Sequence, residues 1–521
     1  MRFLSKSSFL KGRQCHRRLW LAAKRPPEPP IDPDEVWEMR EAEGALVERH
    51  AEHLFPGLIR IAPASDDDEE RDSRPDLASN IVQTTMALRE RRPIAQAHLQ
   101  AGQLLSITDI LEPEGNAWIV WEVKASTSVK PIHIWDLAFQ VEVARRSGLA
   151  VAGAGVIRLE SNYVREGVVD PAGMLARDPL TREVRAIEKP VQDAVGSMLQ
   201  ALDLRAVPAA SPSSHCRADP KAKDGNRPST CGYLGAAGYC GSRLPEHWAG
   251  ELPRLSAQKW AEIQAMQDPS IEALDPDERV GRRDKWTDDQ QRGIRAVKTG
   301  QPIVDAVALR TELAALEWPV AYLDFEFDTG MAVPRFDGCS PYDRLPFQWS
   351  MHVQARRGDA LVTREPFLHL EGTDPRRPFA IALLAAIPST GSIVAHHAGA
   401  EKQVIEQLAD RLGGQISDRL RALLPRFFDT EALARAGYYH PAQKGSWSIK
   451  KLAPALIGTG YEGLAIQNGL AAVAAWKNAC TERDPAARER IRAELLAYCG
   501  QDTALMHEIV ERLRTLAAGT P

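Results

Sequence analysis

Six residues constrain this chain more than any others: Tyr322-Leu323-Asp324-Phe325-Glu326-Phe327, an apolar run carrying two acids two positions apart. The apolar flanks predict a strand, and alternation along a strand puts Asp324 and Glu326 on one face. Two carboxylates side by side repel each other, so the pair predicts a divalent cation, Mg2+ or Mn2+, held between them. The plain alternative is a half-buried strand whose acids merely face water. Partners elsewhere in the chain decide between the two.

At 521 residues the chain exceeds a single core, and a domain over 1–245, a helical connector over 246–315 and a last domain over 316–521 are expected. A net charge of -5 neither demands nor excludes a polyanionic partner. The opening Met-Arg-Phe-Leu-Ser-Lys lacks the apolar core of a secretory signal, and no apolar run approaches bilayer length, so a cytoplasmic protein without a membrane partner is expected. Seven cysteines in such a chain argue against a disulfide framework and for buried thiols or metal ligation.

The opening interleaves Lys6, Lys11, Arg13, Arg17 and Arg18 with Phe9, Leu10, Leu19 and Trp20, and predicts one short amphipathic helix ended by Pro26-Pro27. Its cationic side, Arg17 and Arg18 included, suits a phosphate backbone. A helix follows from about Asp34 to Leu54, and the run Asp66–Asp72 reads as a solvated loop. Leu104–Leu111 and Ala117–Lys124 then read as the two arms of a hairpin around the turn Pro113-Glu114-Gly115-Asn116. Asp109 stands on one arm, with Glu122 and Lys124 sharing a face of the other. That trio suits phosphodiester hydrolysis: the acids place a cation that activates water, and the lysine orients the water or meets developing charge. Glu48, on the preceding helix, can complete the ligand set, and Gln140 follows on another predicted helix.

This pattern resembles the PD-(D/E)xK nuclease superfamily, in its RecB-like branch that includes the CRISPR adaptation nucleases. In the iron-sulfur members of that branch one cysteine precedes the core and three follow it. Cys15, then Cys216, Cys231 and Cys240, match that layout, and the resemblance implies a 4Fe-4S cluster on those four thiolates. The spacing is looser than the family's, with an insert over Arg217–Pro228, so zinc on these cysteines or His215 stays open.

The connector is charged and helical in pattern, with Arg279, Arg282, Arg283, Lys285, Arg292 and Arg295 as a basic strip or a solvated face. In the last domain, strands are expected at 348–354, 361–363 and 393–397, helices from Ala398 and Thr430, and a helix over 495–506 in which Tyr498 and Asp502 share a face at i and i+4. Together with Asp324 and Glu326 these resemble the motifs of DEDD exonucleases, which are ribonuclease-H-like and act 3'-5'. By that resemblance Asp324, Glu326, Glu401 and Asp502 hold two cations and Tyr498 orients or deprotonates the attacking water. Glu401 stands where that family usually has Asp, and Asp429 is its rival. The block Tyr438–Leu452, with Lys444, Lys450 and Lys451, offers rings and cations suited to single strands, although Tyr438 and Tyr439 are equally consistent with a packed core. The block resembles a bacterial family called domain of unknown function 2779, with the resemblance running over almost the whole chain.

The expectation is therefore an α/β protein, a restriction-endonuclease-like domain joined to a ribonuclease-H-like one, acting as a metal-dependent nuclease on ends or single strands of DNA or RNA. The rival is a nucleic-acid-binding scaffold with one or both sites inactive.

Overall fold

Along Val320–Asp328 the side chains sort by parity: Ala321, Leu323 and Phe325 enter an apolar core, while Asp324 and Glu326 lie on the opposite face. The computed structural model that places this strand describes residues 3–25, 34–61, 77–218, 225, 229–235, 238–277, 279–280 and 284–519. The acidic run 66–72, the Pro26-Pro27 breaker, Arg282, Arg283 and most of the 217–228 insert lie outside the described residues. Two units emerge, one of Met1–Arg243 with Gly330–Tyr342 and one of Leu244–Thr329 with Asp343–Pro521. Both are mixed α/β.

Unit 1 contains β1 (Leu4–Ser5), α1 (Lys6–Gln14), α2 (His16–Lys24), α3 (Asp34–Glu52), β2 (Ile59–Arg60), α4 (Leu77–Glu90), β3 (Ile94–Ala101), β4 (Leu104–Glu114), β5 (Ala117–Lys124), α5 (Pro131–Arg146), β6 (Val151–Leu159), α6 (Pro171–Met174), β7 (Leu175–Pro179), α7 (Thr181–Ala186) and α8 (Glu188–Asp203). Its strands form one mixed sheet, β2-β3-β4-β5-β6-β7, with β1 parallel to β4. β4 and β5 make the antiparallel hairpin, and β5 runs parallel to β6 through the α5 crossover. Phe9, Leu19, Leu137, Phe139, Val156 and Met198 share the core between helices and sheet. The opening is two helices rather than one. Cys15 is extended, at φ -165° and ψ 123°, and breaks the helix between α1 and α2.

Unit 2 contains α9 (Ala257–Ala265), β8 (Arg279–Val280), β9 (Asp284–Lys285), α10 (Asp288–Thr299), β10 (Ile303–Val304), α11 (Ala306–Leu313), β11 (Val320–Asp328), β12 (Leu345–Gln354), β13 (Val362–Thr363), β14 (Phe367–Leu368), α12 (Arg376–Ala386), β15 (Ile393–Ala395), α13 (Gly399–Leu412), α14 (Gly414–Arg421), β16 (Phe427–Asp429), α15 (Thr430–Gly437), β17 (Tyr438–Tyr439), α16 (Ile449–Ile457), α17 (Gly469–Thr481) and α18 (Pro485–Ala517). The main sheet runs β13-β12-β11-β15-β16, with β12 antiparallel to β11 and both β15 and β16 continuing in parallel. The 246–315 segment, expected as a bridge, is part of this unit: β10 pairs with β17, Ile303 against Tyr439 and Val304 against Tyr438. In the basic strip, Arg295 pairs with Asp277 at 2.6 Å and Arg292 donates to the Arg435 carbonyl.

α18 starts where Asp484 accepts from the amides of Ala486 and Ala487, with Pro485 at the first helical position. It then passes the acid-bearing face of β11. Gly500 lies within it, and a Cβ there would come no closer than 3.9 Å, to Ser350 Oγ. Because nothing requires glycine at that position, Gly500→Ala is expected to stabilise the protein by about 0.4–1 kcal/mol in urea unfolding; a loss of stability would show that the helix needs the glycine.

Candidate metal centre and cysteine-lined cavity

The parity of β11 and the i, i+4 spacing on α18 converge. Asp324, Glu326 and Asp502 each offer an oxygen, and the three oxygens lie within 4.8 Å of one another. Among the described residues this is the group of three or more possible metal ligands that closes so tightly. Glu326 and Asp502 are buried and Asp324 is half-buried. Burial drives the Asp324 carboxyl well above its usual range, and the charges of Asp502, Glu326 and Glu401 push it further. Glu326 rises for the same reasons, burial first, then Asp502 and Glu401, with Lys450 opposing. Asp502 is pushed up to about 6 by burial, restrained by its hydrogen bond from Tyr461 and by Lys450. Carboxylates raised together in this way bind protons in the absence of a cation and exchange them for one.

Glu401 stands outside the trio, in the first turn of α13. Its Oε2 is buried without a hydrogen-bond partner, and burial, with Asp429 and Asp502 nearby, raises the group to about 8. Asp429 has a different task. Its carboxylate accepts from the amides of His397 and Ala398 at 3.0 Å each, and from Glu431 and Ala432. It caps α15 and pins the turn that leads into α13, which sets where Glu401 lies. The orphaned oxygen is on Glu401 and the occupied ones are on Asp429.

Tyr498 lies beside Tyr461, ring centroids 5.8 Å apart, and the Lys450 ammonium stands 5.4 and 5.6 Å from the two rings. Tyr461 donates to Asp502 Oδ1, and Cys499 Sγ donates to Asp324 Oδ2 at 3.4 Å. Burial, reinforced by the charges of Glu326, Asp502 and Asp324, holds the Tyr498 hydroxyl far above its ordinary value. Neither Tyr461 nor Cys499 has a spacing in the sequence that marks it as a partner of these acids. Lys444 and Lys451 are exposed, while Tyr438 and Tyr439 are buried core residues. Arranged this way, the acids can hold divalent cations that polarise a phosphoryl or carbonyl oxygen and activate water.

Residues 321–448 match a family described as Domain of unknown function (DUF2779). That match spans the strand with Asp324 and Glu326, Glu401, and the Tyr438–Ser448 block, and it stops before Tyr498 and Asp502. The resemblance expected over almost the whole chain is carried in this match by residues 321–448, which include Gly330–Tyr342 of the first unit and otherwise lie in the second. No curated protein and no solved structure matches the chain. Among the described residues no helix is long and apolar enough to cross a membrane.

In unit 1 the hairpin delivers Asp109, Glu122 and Lys124 to one buried cluster. Glu122 accepts from Lys124, from Lys6 at 2.8 Å and from Gln140. The charges of Lys124 and Lys6 overcome burial and hold its carboxyl far below the usual range. Asp109 Oδ2 accepts from the Val123 amide at 2.7 Å; burial and the Glu122 charge raise Asp109 well above its usual value. Lys124 also reaches Asp136 Oδ2 at 2.6 Å. Glu48 Oε2 accepts from Gln96 at 3.1 Å, and Glu48 is raised chiefly by burial. The oxygens of Glu48, Asp109 and Glu122 do not close to within 4.8 Å as the second unit's trio does. The ammonium of Lys6, which no spacing in the sequence flagged, lies on the two hairpin acids.

Cys15, Cys216, Cys231 and Cys240 line one small cavity, with His215 and Tyr233 beside them. Burial raises the Cys216 thiol, and Cys15 and Cys240 add to the effect. Among the described residues no three of these ligand atoms come within 4.8 Å of one another. Arg17 and Arg18, expected on an outward cationic face, are buried against this cavity. Arg17 donates to the Pro208 carbonyl at 3.2 Å, and Arg18 donates to Gln14 and to the Thr230 carbonyl. They were misplaced because the break at Cys15 turns α2 inward.

Proposed function

We propose that the chain is a metal-dependent nuclease that hydrolyses phosphodiester bonds of DNA or RNA, with a 3'-5' exonuclease site in the second unit and a further phosphodiesterase site in the first. The observation that carries this reading is the meeting of Asp324, Glu326 and Asp502 within 4.8 Å, with raised pKa values that mark a site short of positive charge. Glu401, with its buried unpartnered oxygen, is the fourth acid a two-cation clamp requires. The strand order, with the acids on the central β11 and α18 across its face, supports a ribonuclease-H-like second unit of the DEDD kind. In that frame Tyr498 orients the attacking water by hydrogen bonding. The hairpin trio Asp109, Glu122 and Lys124, with Gln140 on α5, supports the RecB-like PD-(D/E)xK reading of the first unit.

The four cysteines around one cavity support a cluster-type cofactor. A 4Fe-4S cluster takes four thiolates, and zinc takes the same four or exchanges one for the neighbouring His215. Protein purified without air is expected to absorb near ~400 nm, where iron-sulfur thiolate bands fall, and Cys231→Ser to lose the band; a colourless protein carrying stoichiometric zinc would refute the cluster.

The function itself is tested with end-labelled single strands of matched DNA and RNA sequence, with Mg2+ or Mn2+. A ladder shortening from the 3' end is expected on at least one of them. Binding without cleavage under every divalent metal tried would replace the nuclease with a scaffold.

A further inference from the structure

The first unit's cluster contains a charge arrangement that the hairpin trio alone does not explain. Four carboxylates belong to it: Glu48, Asp109, Glu122 and Asp136. Two ammonium groups oppose them, and only Lys124 comes from the hairpin. The other, Lys6, stands 2.8 Å from Glu122 Oε1 and 3.9 Å from Asp109 Oδ1, in contact with the two acids on opposite arms.

Lys6 arrives there by construction. β1 runs beside the start of β4, Leu4 against Leu104 and Ser5 against Leu105. Ser5 then caps α1 through the Ser8 amide, which makes Lys6 the first residue of the helix. Phe9, one turn on, stacks on Phe139 at 4.6 Å, and Phe139 immediately precedes Gln140. The lysine is thus held from a strand, a cap and a ring stack. Its side chain keeps 31% of its surface, so the cluster is open on that side.

Two polar atoms in the cluster have no partner. Asp136 Oδ1 and Gln140 Oε1 are buried acceptors without a donor, on residues 2% and 0% exposed. Each belongs to a side chain whose other end grips the cluster: Asp136 Oδ2 takes Lys124, and the Gln140 amide nitrogen donates to Glu122. Buried acceptors without donors are costly and point to a cation that completes them. With all four acids ionised, as metal ligation requires, four negative charges against two ammonium groups leave two. That remainder matches one divalent ion.

We propose that the first unit's site takes a single divalent cation, with the Lys6 ammonium standing where a second cation would otherwise sit. This rests on reading that cluster as a phosphodiesterase site. A lysine is a compact point charge and suits the role, since it can meet charge on a phosphoryl oxygen through its open edge while holding Glu122 and Asp109 together. The second unit differs: its acids converge with the partly buried Lys450 near Glu326 and Asp502 and Arg344 near Glu401.

The test uses the full chain carrying Asp324→Asn and Asp502→Asn, which removes the second unit's ligands. Bound Mn2+ is counted by electron paramagnetic resonance and residual cleavage is measured in parallel. This background is expected to bind one Mn2+, lost in Asp109→Asn. Adding Lys6→Met is expected to raise the count to two and lower kcat by about tenfold or more, with KM changed far less, as for a group that meets transition-state charge. Lys6→Arg keeps the positive charge and should keep the count at one, which guards against a folding defect in the methionine variant. A count that stays at one in Lys6→Met overturns the role of Lys6 while leaving the site reading intact. A background with no Asp109-dependent Mn2+ overturns both.

Discussion

Asp324→Asn is expected to lower metal-dependent strand degradation by at least ~10³-fold while leaving the protein folded and, without metal, more stable. The rate effect follows from the geometry. Asp324 is one of three acids whose oxygens meet within 4.8 Å, and an amide in its place loses the anionic oxygen that holds a cation against Glu326 and Asp502. A cation that polarises the phosphoryl oxygen and activates water contributes several kcal/mol to the transition state, and each ~1.4 kcal/mol is a factor of ten. The opposite sign for stability has the same origin. Burial and three neighbouring acids make the ionised form of Asp324 unfavourable, so a neutral isostere relieves the repulsion. A variant that loses activity and also melts lower would show that Asp324 serves the fold, and undiminished degradation would remove the second unit's site altogether.

The second large effect is a reversal in pH dependence between metal-free and metal-bound protein. Asp502 and Glu401 are raised, to about 6 and about 8, from ordinary values of 3.8 and 4.5. A group with a raised folded-state pKa binds its proton more tightly when folded. Its contribution to stability is complete below the unfolded value and is lost as pH rises through the folded one. Metal-free Tm should therefore fall between about pH 5 and pH 8. Asp324, Glu326, Asp109, Glu48 and Asp136 are raised as well and act in the same direction, whereas Glu122 is depressed and its contribution is lost only in strong acid. Mn2+ replaces the protons, so it should raise Tm far more at pH 8 than at pH 5; at a hundred times its Kd the gain is about 2.7 kcal/mol. Differential scanning calorimetry with and without chelator reads this directly. Equal Mn2+ shifts at both pH values would show that the acids do not hold the ion.

Relations that are local in the chain were open to sequence reasoning. Asp324 and Glu326 share a face because a strand repeats every two residues, and Tyr498 and Asp502 share one because a helix repeats at four; both follow from backbone geometry without knowledge of the fold. The hairpin holding Asp109, Glu122 and Lys124 was legible for the same reason, with turn residues between two apolar runs. Arg17 and Arg18 were not. One extended residue, Cys15, changed which way the second helix faces, and nothing local marks that change.

The sequence by itself determined the chemistry available: the acids on β11, the pair on α18, the hairpin trio and the four cysteines. The tertiary structure alone decided which of these meet. It set Glu401 with a bare oxygen and Asp429 as a cap, placed Tyr461 on Asp502, gathered Cys15 with cysteines some two hundred positions away, and laid Lys6 on Glu122, 116 residues distant. Burial and electrostatic coupling depend on distance in space, and the spacing of residues along a chain carries that distance only within a single strand, helix or turn.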